Sequence, residues 1–222
     1  MLFLRQPSPD AVLRFVAAQA NLTVTYPHVG ASNAVPPGKN GPLPKGYVVD
    51  HNRIQLGRGA AVFAAAKAAF QRWDHFHFGW LDACAPLPPI QTGAVVAIKA
   101  KSVGLWWLSA CRIVYTIDEK GDEMGDETGE KRNSTARFGF GYGTLPDHPE
   151  SGEERFLLEW NRADDTVWYD ILAFSRPNTF AARLGYPIVR SLQKHFQRDT
   201  KAAMLRVVAQ TGAQAPHTDT AH

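Results

Sequence analysis

Four short stretches of this 222-residue chain hold the side chains best able to do chemistry. In the first, Gly139, Gly141 and Gly143 alternate with Phe138, Phe140 and Tyr142, and a Pro/Gly turn then carries His148 and Glu153 toward the next strand. Glycines on one face of a strand let a ligand or another chain segment approach the backbone. With Tyr142 beside them, His148 and Glu153 have the types of a general acid/base pair or a ligand clamp. The structural alternative is a turn in which Asp147 and Glu153 cap backbone amides. The second stretch is Trp168-Tyr169-Asp170-Ile171-Leu172-Ala173-Phe174-Ser175-Arg176-Pro177, where alternation puts Trp168, Asp170, Leu172 and Phe174 on one face. A carboxylate on an apolar face is costly to bury alone, so Asp170 is expected either to pair with Arg176 or Arg112 or to belong to a polar site.

The third stretch, Trp106-Trp107 with Arg112, places one tryptophan on each side of a strand. Trp107 shares its parity with Ser109 and Cys111, the more ordinary interior, so Arg112 is expected to point outward. The fourth is Asp50-His51-Asn52-Arg53, where an isolated histidine in a strand reads as a surface or hydrogen-bonded residue before a catalytic one. His75 and His77 share a face if extended, but two ligands without a third make no zinc site. The chain holds no nucleophile elbow, P-loop, dinucleotide fingerprint or HExxH motif, so neither a cofactor nor a metal is expected. Cys84 and Cys111 lack metal or CxxC spacing and read as buried thiols, with a disulfide as the alternative.

The elements that must position these residues follow from periodicity. Ser8-Pro9-Asp10 opens a short helix whose apolar stripe is Val12, Leu13, Phe15 and Val16. Residues 27–46, with five prolines and several glycines, read as an extended connector over the surface. A first strand over 47–56 leads through Gly57-Arg58-Gly59 into an alanine-rich helix over 60–73. Strand-like runs follow at 76–81, 94–100, 105–117, 136–142, 155–160 and 167–174. The acidic, glycine-rich residues 118–133 read as a hairpin tip. Phe180 and Leu184 suggest one short helical turn. From Pro187 onward, Ile188, Leu192, Phe196, Ala203 and Val207 mark one face of a helix of about 20 residues, roughly 30 Å long, which Gly212 stops. These divide the chain into residues 1–46, a domain over 47–209, and a disordered tail over 210–222. A meander of strands needs a cover for its apolar face, and the last helix is the natural one. The expected class is therefore α+β of the helix-grip kind (the birch-allergen and steroid-transfer type), with a curved antiparallel sheet of about seven strands wrapped on a long C-terminal helix.

Composition narrows the partners. Hydrophobic residues make up 45% of the chain and charged ones 20%, ordinary for a globular protein, and the net charge of +3 comes with no Lys/Arg stripe, which argues against nucleic acid. The opening Met1-Leu2-Phe3-Leu4-Arg5 is too short for a secretory signal core, and no apolar run reaches the length of a membrane span, so the expected compartment is the cytoplasm.

Several ordered motifs add a resemblance. Leu56-Gly57-Arg58-Gly59, Gly104-Leu105-Trp106-Trp107, Tyr142-Gly143-Thr144-Leu145-Pro146 with His148, Gly152-Glu153-Glu154, and Phe174-Ser175-Arg176-Pro177 resemble those of a family of uncharacterised bacterial and plant proteins known as a domain of unknown function. The similarity spans about residues 12–208. It implies a helix-grip fold and brings no assigned activity or catalytic residue. Three functional classes follow. The leading one is a binding protein for a small apolar or amphipathic molecule held between sheet and helix, with Trp107 and Trp168 as walls and Tyr142, Asp170 and Arg176 orienting the polar end. The rival is a metal-free acid/base enzyme in the same cavity, using Tyr142, His148, Glu153 and Asp170. The third is a protein-interaction module presenting the N-terminal helix.

Overall fold

Runs of aromatic and β-branched residues separated by Gly and Pro turns become a single antiparallel sheet. A computed structural model of the chain describes residues 1–39, 41–121, 135–178 and 186–212. Its elements are β1 (Leu2–Phe3), α1 (Pro9–Gln19), β2 (Val48–Arg58), α2 (Ala60–Gln71), a 3-10 turn (Asp74–Phe76), β3 (Leu81–Ala83), β4 (Val95–Ser102), β5 (Leu105–Glu119), β6 (Thr135–Thr144), β7 (Glu150–Asn161), β8 (Thr166–Pro177) and α3 (Tyr186–Gly212). The sheet order is β2-β8-β7-β6-β5-β4-β3, with β1 beside β5. The sheet curls into a half-barrel around α3, the helix-grip arrangement.

The concave face carries the main core. Phe70 and Ala66 of α2, Trp73, Phe76, and Phe196, Met204 and Val208 of α3 pack on Phe140, Phe156, Tyr169 and Ile171 of the sheet. Each fully buried side chain of this size contributes about 1.5–3 kcal/mol. The convex face is covered too. Ser8 caps α1 by accepting from the Ala11 amide, and Pro9 occupies its first turn. The helix then lays Val12 and Phe15 on Ala97, Leu108 and Ala110. Its apolar stripe is therefore largely spent inside the molecule. Arg112 points to this side, as its parity predicts, and donates to the Ala20 and Leu22 carbonyls beyond α1.

The proline-rich connector is packed down on the sheet. Tyr26, Ser32 and Val35 are buried, and their seat depends on the β6 glycines. A Cβ on Gly143 would overlap the Tyr26 hydroxyl oxygen, and one on Gly141 would overlap the Tyr115 ring. The close approach expected at these glycines is thus made by the chain itself.

Two local expectations differ from the structure. The run 76–81 is mostly irregular, because Trp73 turns left-handed (φ 61°) and sends His75 and Phe76 into the core; only Leu81–Ala83 pairs, at the sheet edge. β7 begins at Glu150 rather than near Arg155, which puts Glu153 within a strand. The acidic stretch from 122 to 133, the turn around Phe180 and Leu184, and the tail from 213 lie outside the described residues.

Candidate functional site

Sheet and α3 do not close completely. A cavity of about 480 Å³ lies between them, with Ile98, Leu105, Tyr142, Ala173, Leu192 and Phe196 among its lining side chains. Trp107 stands at its mouth and is 41% exposed.

The polar end is built by register. Tyr142 of β6 stands opposite Glu154 of β7, and the Tyr142 hydroxyl donates to Glu154 Oε2 at 3.0 Å. Four residues earlier on the same face, Glu150 accepts from Ser175 Oγ at 2.9 Å and from Gln193 of α3. Gln193 also donates to Ser175 Oγ at 3.0 Å. Arg190 closes the group by donating to Asp50 Oδ1 at 2.9 Å and to Gln193 Oε1 at 2.5 Å. His148 sits at the rim, its Nδ1 accepting from the Glu150 amide at 3.1 Å.

Burial sets the protonation states. Burial, reinforced by the Glu150 and Asp50 charges, pushes the Glu154 carboxyl up to about 8 despite the Tyr142 hydrogen bond. The Glu150 carboxyl is also raised by burial, with its Ser175 and Gln193 hydrogen bonds opposing. The Tyr142 phenol is pushed well above its usual range by burial and by the Glu154 charge, so it remains a donor. Burial pulls His148 down to about 4, which keeps the ring neutral at physiological pH. Glu154 and His148 still retain partial solvent accessibility. Both line the cavity. A neutral carboxylic acid can donate a hydrogen bond, and one that titrates near pH 8 can exchange a proton under ordinary conditions.

The other expected site residues go elsewhere. Tyr142, His148 and Trp107 come together at the cavity. Glu153, Trp168, Asp170 and Arg176 do not. The Glu153 side chain is on the convex face, although its backbone borders the cavity; it accepts from Tyr26 Oη at 2.6 Å, Gly30 N at 2.7 Å and Ser32 N at 2.9 Å. Asp170 lies on the same side and accepts from Arg155 at 2.9 Å, His51 Nε2 at 2.9 Å and Gly38 N at 2.9 Å. Its partner is thus Arg155, not Arg176 or Arg112. Burial pushes the Asp170 carboxyl up, but the His51 hydrogen bond and the Arg155 charge more than reverse this and hold it below the usual range. Arg155 reaches on to the Ser32 and Val35 carbonyls. Together Glu153, Arg155 and Asp170 clamp the connector's backbone. Trp168 carries Arg53 over its ring at 4.8 Å, and Arg176 lies over Tyr47 at 4.7 Å. Sequence reasoning missed Glu154, Glu150 and Gln193. One signal pointed to Glu154: it alternates with Phe156, Leu158 and Trp160, the more apolar parity of β7.

Residues 25–203 match the family model described as "Domain of unknown function (DUF1990)". The chain belongs to this family. Its relatives include a "UPF0548 protein" of Dictyostelium discoideum, 40% identical over 168 residues and 73% of each chain. A "UPF0548 protein" of Arabidopsis thaliana is 36% identical over 163 residues, covering 73% of this chain and 74% of its own. One of Deinococcus radiodurans is 32% identical over 220 residues, covering 93% and 98%. Similar solved structures include Ara h 8.0201, with TM-score 0.43, 11% identity and coverage of 72% of this chain and 99% of that one. A Thalictrum norcoclaurine synthase has TM-score 0.43, 8% identity and coverage of 77% and 99%. Among the described residues of this family member, no three His, Cys, Asp or Glu side chains converge for a metal ion. No described helix is long and apolar enough to cross a membrane.

Proposed function

We propose that the cavity between sheet and α3 binds a small, largely apolar molecule that carries one polar end. The observation behind this reading is the cavity itself, about 480 Å³ of space between sheet and helix. That volume lies within the range of ordinary small-molecule sites, roughly 300–1,000 Å³. Apolar walls supply affinity, and the Tyr142–Glu154 pair supplies orientation. A ligand hydroxyl, carbonyl or amine fits there better than a carboxylate, because Glu150, Glu154 and Asp50 border the same end. The test is native mass spectrometry of protein taken from its own cells, with denaturing extraction of whatever accompanies it. A stoichiometric small molecule, released faster from Tyr142→Phe, is the expected result. A protein that is empty and also fails to take up an anilinonaphthalene dye refutes the reading.

A second reading, metal-free acid/base catalysis in the same cavity, is favoured by the near-neutral titration of Glu154. Glu154 would transfer the proton, with Tyr142 holding it, while His148 borders the site and Glu153 and Asp170 take no part. Turnover of the extracted molecule, lost in Glu154→Gln and retained in Glu153→Gln, distinguishes an enzyme from a carrier.

A further inference from the structure

The tip joining β4 to β5 places Val103 where neither its turn nor its packing explains it. Val103 and Gly104 both have positive φ, 51° and 76°, the pattern of a two-residue type I′ hairpin turn. Such turns favour Asn, Asp or Gly, and a β-branched residue is among the least suited. Burial does not compensate, since Val103 is 80% exposed. An apolar residue that costs the local fold and gains nothing within it points to a contact outside the molecule.

Its neighbours extend the patch. β1 pairs with β5 so that Leu2 stands opposite Trp107, and Leu4 follows two residues on. Leu2 is 51% and Leu4 86% exposed. Val103, Leu105 and Trp107 also line the cavity, so the exposed apolar strip is the rim of its mouth. Basic groups flank it. Arg5 follows Leu4, and Lys101 lies on the neighbouring strand, over the Trp106 ring at 5.7 Å.

We propose that this rim docks on the surface of an anionic lipid bilayer, with Leu4 and Val103 entering the interface, Trp107 at headgroup level, and Arg5 and Lys101 against the lipid charge. Isolated apolar tips around an opening, a rim tryptophan and flanking cations suit an interfacial contact. A flat protein partner would leave the tips poorly packed. An apolar ligand could then pass between cavity and hydrocarbon without crossing water.

The test is co-sedimentation with phosphatidylcholine vesicles, with and without about one-third phosphatidylserine. The native chain should bind the mixed vesicles more tightly and lose part of that binding as salt rises. Val103→Asn should lower partitioning about tenfold, the loss of one mostly exposed valine from the interface, while its unfolding midpoint is unchanged or raised, because Asn suits the turn. Leu4→Ser should act similarly, and the pair should cost about a hundredfold. Dye uptake by the cavity is measured on Leu4→Ser, whose side chain is outside the cavity lining, and should be unchanged, so docking and cavity binding can fail separately. The proposal is overturned if the native chain ignores both vesicles or if Val103→Asn and Leu4→Ser bind as well as the native chain. It is also overturned if the native chain forms a dimer that Val103→Asn dissolves, since a second copy then covers the rim.

Discussion

Replacing Glu154 by glutamine should flatten the pH dependence of stability on the alkaline side. Glu154 has its folded-state pKa raised from 4.5 to about 8, chiefly by burial. Between those values the folded chain holds a proton that the unfolded chain has released. The stability associated with that proton is fully present below the unfolded value, falls as pH rises, and is gone above the folded value. The full span of some 3.5 units corresponds to about 5 kcal/mol, and the part between pH 6 and pH 9 to about 3 kcal/mol. The amide of the Glu154→Gln variant keeps a carbonyl for the Tyr142 hydroxyl and has no proton to lose. The assay is urea unfolding of both proteins at pH 6, 7, 8 and 9, using midpoints at constant slope. The native chain should lose about 3 kcal/mol more than the variant over that range. Glu150, also raised, contributes to both curves and largely cancels in their difference. His148, held near 4, stays neutral throughout. Parallel curves for the two proteins would refute the reasoning, because they would mean that Glu154 is ionised in the fold at pH 6 and hydrated through the cavity.

Three further changes test the rest of the architecture. Gly143→Ala puts a methyl group into the space of the Tyr26 hydroxyl oxygen, displacing it from Glu153, and should cost about 2–4 kcal/mol by urea unfolding. Asp170→Ala leaves the buried Arg155 guanidinium without its carboxylate and should cost about 3–5 kcal/mol, yet folded molecules should take up dye in the cavity as before. The Asp170 carboxyl is held below its ordinary range, so its contribution is present above the unfolded value and lost as pH falls through the folded one. His75 is buried, stacked on Phe70 at 4.4 Å, with neither ring nitrogen hydrogen-bonded among the described residues. Burial pulls it from 6.5 to about 3, so stability present above pH 6.5 is lost as acid protonates the unfolded chain first. His75→Phe should remove about 2 kcal/mol of the native chain's loss between pH 7 and pH 5, and an unchanged acid transition would show that the ring is solvated.

Element order and the covering helix were legible in the sequence because turn signals and the 3.6-residue stripe depend only on neighbours along the chain. The face of a strand was legible only where its two parities differ. On β5 one parity carries Ser109 and Cys111 and the other Arg112, so Trp107 was assigned inward and lies at the cavity mouth. On β8 both parities are apolar: Val167, Tyr169 and Ile171 against Trp168, Leu172 and Phe174. Alternation cannot orient such a strand, and Asp170 was assigned to the cavity although it faces the connector. The underlying reason is that this sheet is buried on both faces. Its convex side at β7 and β8 is covered by a segment without helical or strand periodicity, whose backbone groups are satisfied by Glu153, Arg155 and Asp170. A buried carboxylate among apolar neighbours therefore had two meanings in this chain, a clamp on one face and a ligand-facing acid on the other. Adjacent residues Glu153 and Glu154 carry one each. What separates them is the cross-strand partner: a glycine opposite Glu153, which opens the backbone to Tyr26, and Tyr142 opposite Glu154, which extends a hydroxyl into the cavity. The pairing Gly143–Glu153 and Tyr142–Glu154 is a property of register, and register is decided by the turn at Leu145–Pro149 together with the packing of both faces.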